Sequence, residues 1–163
     1  MKSPKTIQGV TMVVFAAYNS TGYKIVLFIH VLAIIIGFAP LWLTPVLVRL
    51  TAAGDKAAAD GLDVSILRFS LPGIGLAGIL GFGLAGMSDK YFSLSQTWLS
   101  ISAVLWVVLM AVLIFVARPA IKAFRDGNAA ARGRIMMATG ISHLILVVTL
   151  YLMIFQPGGP SGT

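Results

Sequence analysis

The chain has 163 residues, of which 58% are apolar and only 10% charged, with a mean hydropathy of +0.96. That balance excludes an ordinary soluble domain and puts the chain in lipid. The absence of cysteine removes disulfides, iron–sulfur clusters and thiolate metal sites, and the net charge of +7 sits mainly between apolar stretches, so it does not point to nucleic acid.

Residues 1–22 form an N-terminal signal-like or interfacial segment. Lys2 and Lys5 precede an apolar stretch at residues 7–18 that is too short to span a bilayer. A cleaved signal peptide and a retained interfacial helix both fit it. Asn19, Ser20, Thr21 and Gly22 read as the turn that leads into the first long apolar run.

Four runs then reach the roughly 20 apolar residues needed to cross about 30 Å of hydrocarbon. They lie at 25–48, 66–87, 97–117 and 135–155, inside a transmembrane domain of residues 23–156. A span in lipid must satisfy its own backbone hydrogen bonds, so each run is a helix. The expected fold is an all-α membrane protein, a four-helix up-down bundle of two similar hairpins. The segment 51–65 reads as a solvated connector, Arg118-Pro119 as a helix exit, Gly127-Asn128 as a turn, and 157–163 as a disordered tail.

Lys and Arg gather in two of the connections. Arg49, Lys56 and Arg68 flank the first, and Arg118, Lys122, Arg125, Arg132 and Arg134 the second, against Lys24 and Lys90 on the other side. The positive-inside rule places both hairpin loops in the cytoplasm and both termini outside, in a bacterial plasma membrane. Attraction to anionic lipid headgroups is a secondary role for the same charges.

Span one carries Gly37, Pro40 and Pro45. A proline inside a helix removes a hydrogen bond and crowds the preceding turn, so a kink is expected, either as a simple bend or around a cavity. In span two, Gly73, Ala77, Gly81 and Ala85 recur every four residues, the spacing that lets a second helix come close. That face suits a contact inside the bundle, a homo-oligomer, or docking to a larger membrane complex.

Two ionisable residues lie deep in the spans, His30 and His143. Placing such groups in hydrocarbon is costly, which makes them the default site residues. His30 shares a helical face with Ala33, Gly37, Leu41 and Thr44; His143 shares one with Met136, Thr139 and Gly140. Each suits either a neutral histidine bonded to a neighbouring helix or a ligand of a b-type heme or metal. At about 1.5 Å per residue, His30 lies about 7 Å and His143 about 18 Å below the outer boundary, so a site with His30 as single ligand is the easier geometry. No carboxylate lies inside a span, which disfavours carboxylate proton relays, and no nucleotide-loop pattern is present.

Phe28-Ile29-His30-Val31-Leu32, then Gly37-Phe38-Ala39-Pro40-Leu41-Trp42 and Pro45, resembles the first helix of a loose group of bacterial four-helix membrane proteins. The group includes a widespread family of predicted integral membrane proteins of unknown function, whose likeness extends to Leu71-Pro72-Gly73 and Arg118-Pro119. More distantly it includes the copper-resistance D-type proteins and the HemJ-type membrane protoporphyrinogen oxidases, whose matching histidine belongs to a heme or porphyrin site. The expected role is that of a small accessory or structural membrane component of the unknown-function type, with enzymatic activity left open. The alternatives are a heme b-binding redox or porphyrin-handling protein using His30, with His143 as second ligand, and a small permease or channel subunit.

Overall fold

The computed structural model describes residues 20–88 and 91–158, so expectations for residues 1–19 and for the end of the tail fall outside it. The described chain is helical, and four of its helices are long and apolar enough to cross a membrane: α1 (Thr21–Ala52), α2 (Lys56–Gly86), α3 (Thr97–Arg125) and α4 (Ala131–Phe155). Ser20 caps α1, its hydroxyl accepting from the Tyr23 amide at 3.2 Å. The helix then runs unbroken through Pro40 and Pro45. Gly54 and Gly127 take φ +92° just beyond α1 and α3, where a left-handed residue reverses the chain. Asp55 opens α2 by accepting from the Ala58 amide at 3.1 Å.

Two elements differ from the sequence expectation. The connector at 51–65 is largely helical, since α2 already begins at Lys56, and Arg118-Pro119 does not end α3, which continues to Arg125. In both helices a π-turn precedes the proline: Ser65–Ser70 before Pro72, and Val112–Ala117 before Pro119. A proline lacks an N–H and collides with the carbonyl four residues back. Widening the turn ahead of it gives the ring room, so the helix carries on.

α1 packs mainly along α2, and α3 along α4, while the two hairpins meet more sparsely. α1 and α2 cross where two glycines face each other. A Cβ at Gly37 would lie 2.8 Å from the Ile74 backbone nitrogen, and one at Gly73 would lie 2.8 Å from the Gly37 Cα. Gly73, the first residue of the α2 small-residue stripe, therefore meets α1 at backbone distance inside the bundle.

The densest packing lies toward the hairpin loops. Val48, Leu62, Ile66, Leu113, Ile121 and Ile135 are sealed from the surface there. Arg125 joins the two hairpins at that end, 2.7 Å from Asp60 and 3.4 Å from Asp63. Toward the termini the helices separate around a cavity.

Candidate functional site

The cavity has a volume of about 560 Å³ and touches all four helices, within the range of roughly 300–1,000 Å³ usual for cofactor and small-molecule sites. Its walls are overwhelmingly apolar, and Phe82, Phe92, Trp98 and Trp106 supply an aromatic side. Ser88 holds the α2–α3 connection over that side: its hydroxyl donates to the Ala85 carbonyl at 2.7 Å and accepts from the Phe92 amide at 2.9 Å. Phe92 in turn meets Trp98 edge to face.

Two polar rings reach across onto α2. His30 of α1 lies with Nδ1 2.8 Å from the Ala77 carbonyl, and Trp106 of α3 donates from Nε1 to the Ile74 carbonyl at 2.9 Å. Each ring occupies a glycine slot four residues beyond its acceptor. A Cβ at Gly81 would sit 3.3 Å from His30 Cε1, and one at Gly78 would overlap the Trp106 indole. Gly78 and Gly81 are thus recesses that let side chains from two other helices bond to the α2 backbone.

A carbonyl only accepts, so the bond to Ala77 places the proton on Nδ1. In the neutral imidazole that leaves Nε2 as a free base, and among the described residues no protein group bonds to it. An imidazole fixed by an Nδ1–H···O=C bond is the usual supporting arrangement for Nε2 ligation of a metal. His30 itself lines the cavity. The face it belongs to was correctly placed, because Ala33, Gly37, Leu41 and Thr44 are all buried.

Near the start of α1 and the end of α4 the cavity is bordered by Tyr23, Lys24 and Gln156. Lys24 lies six residues before His30, about 9 Å along the helix. Lys24 supplies a cation at that end of the apolar cavity. The site thus combines a base with a fixed tautomer, a recess at Gly81, apolar and aromatic walls, and one cation toward the end.

His143 is not brought into this site. Its ring stacks on Trp42, with centroids 4.2 Å apart and planes tilted by 39°. Trp42 is twelve residues beyond His30 on α1, about 18 Å along the axis. The inward face of α4 is formed by Ile135, Ala138, Thr139, Ser142 and Ile145, while Met136 and Gly140 point outward, so His143 stands at the margin of that face. Its Nε2 is covered yet has no hydrogen-bond partner among the described residues. Of the small-residue stripe, Gly73 meets α1, whereas Ala77, Gly81 and Ala85 line the cavity. Pro40 and Pro45 lie outside the cavity lining, and no cluster of three or more metal-ligating side chains occurs among the described residues.

Among the described residues the chain is all-helical, with four helices long and apolar enough to cross a membrane, the make-up of a multi-pass membrane protein. In comparisons with known proteins, no family model, no curated protein and no solved structure matches the chain.

Proposed function

We propose that the protein binds a b-type heme in the intramembrane cavity through His30 and serves as a small redox or porphyrin-handling component of the bacterial plasma membrane. The observation that carries this reading is the His30–Ala77 bond, which directs the proton to Nδ1 and leaves Nε2 unpartnered beside an apolar, aromatic-walled cavity. Bound there, a heme supplies one-electron chemistry whose potential depends on its axial ligand and on burial. The chain's own residues do the rest. His30 would hold the iron, the Ala77 carbonyl would fix the imidazole in the room that Gly81 leaves, the four aromatic side chains would exclude water, and Lys24 would neutralise the porphyrin carboxylates at the cavity's end.

The excess of Lys and Arg in the two hairpin connections supports an orientation with those loops in the cytoplasm and both termini outside. The resemblance at span one to heme- and porphyrin-site helices supports the same choice of ligand. Heme content of the detergent-purified protein tests the reading. A ratio near one heme per chain is expected, and colourless protein at full recovery would overturn it, leaving a role as an accessory subunit that co-purifies with a partner in mild detergent.

A further inference from the structure

At the opposite end of the bundle, a groove of about 760 Å³ runs between α2 and α3. Leu67, Ile114 and Phe115 form its apolar part, and all three belong to the two π-turns, so the groove lies where both helices widen. π-turns of this kind recur at functional positions. Along α3 the lining then changes character in order: Phe115 is largely exposed, Arg118 and Lys122 follow at spacings of three and four, and Arg125 and Asp126 close the loop end. From Phe115 to Asp126 is about 16 Å at helical rise.

The charges in this groove are not equivalent. Arg125 is engaged by Asp60 and Asp63, and Asp63 and Asp126 are the carboxylates on the groove wall. Arg118 and Lys122 have no carboxylate within 4.0 Å among the described residues. Two uncompensated cations therefore sit directly above an apolar trough, at the level where α3 passes from apolar sequence to polar. Beyond them, carboxylates able to accept hydrogen bonds line the outermost end.

From this sequence of surfaces we propose that the groove is a site for an anionic glycerophospholipid with a hydroxylated headgroup, of the phosphatidylglycerol kind. Its acyl chains lie along Leu67, Ile114 and Phe115, its phosphate meets Arg118 and Lys122, and its headgroup hydroxyls donate to Asp126. Basic pockets between transmembrane helices at a membrane surface recognise anionic headgroups in this way. The inference stands apart from the heme reading, because the two sites lie at opposite ends of the bundle.

Native mass spectrometry of the full chain tests it, with dioleoyl phosphatidylglycerol and dioleoyl phosphatidylcholine added in equal amounts. One phosphatidylglycerol is expected to remain bound at activation energies that strip phosphatidylcholine. The double variant Arg118→Ala/Lys122→Ala is expected to lose that preference by about tenfold or more. Arg132→Ala/Arg134→Ala removes the same charge from the same end but outside the groove, and is expected to keep the preference. Equal retention of the two lipids by the unmodified protein, equal losses in both double variants, or saturation of the site by inorganic phosphate without lipid would each overturn the proposal. The first of these outcomes does not depend on any variant folding.

Discussion

His30 and Ala77, 47 residues apart in sequence, are joined by a 2.8 Å hydrogen bond from Nδ1 of one to the backbone carbonyl of the other. Gly81, one turn beyond Ala77, permits it, since any larger residue would press on the imidazole. Gly81→Ala puts a methyl 3.3 Å from Cε1, so the ring must shift by a few tenths of an ångström. In heme-loaded protein the Soret maximum is expected to move and heme retention to fall, while Gly83→Ala, with open space around it, leaves both unchanged.

The crossing of α1 and α2 depends on Gly37 and Gly73 in the same manner, but against backbone rather than against a side chain that can rotate. Gly73→Ala should therefore destabilise the protein by about 1–3 kcal/mol, the usual cost of overpacking a tight contact. Reversible unfolding in mixed micelles checks the value, with Gly83→Ala again as the neutral reference.

Trp106 joins α3 to α2 through Ile74, and its indole fills the slot at Gly78. Trp106→Phe keeps most of the ring but removes the donor. A loss of about 0.5–1.5 kcal/mol is expected from one hydrogen bond. Gly78→Ala should cost more, because the indole must leave its slot altogether; unfolding midpoints of the two variants give the comparison.

Much of the architecture was readable in the sequence, because apolar length alone determines where a chain crosses lipid. Three of the four spans fall inside their helices and the second runs one residue past Gly86, and the inward face of α1 follows from the spacing of His30, Ala33, Gly37, Leu41 and Thr44. What escaped the sequence depended on long-range partners. Arg118-Pro119 looks like an exit because proline ordinarily stops a helix, and nothing local reveals that a π-turn will absorb the ring. The stripe of glycines in α2 signals close packing, but not that Gly78 and Gly81 receive Trp106 and His30. Trp106 was missed outright, since a tryptophan in an apolar run has no distinguishing pattern. His143 is, like His30, an ionisable residue within a span, yet lies against Trp42, because helix rotation about its own axis is decided by neighbours.

At the loop end, Arg125→Ala removes the contacts to Asp60 and Asp63. Both partners are partly open to solvent, so the expected loss is small, about 0–1 kcal/mol, and smaller still in high salt. Unfolding at low and high ionic strength checks both statements.

Reduced-minus-oxidised absorption spectra of the purified protein, His30→Ala and His143→Ala, recorded side by side at equal protein recovery, bear most directly on the cavity's role. Sharp alpha and Soret bands in the unmodified protein and in His143→Ala, with their loss in His30→Ala, are the result expected of a heme held by His30 alone. Featureless spectra throughout, or bands that survive in His30→Ala, would contradict it.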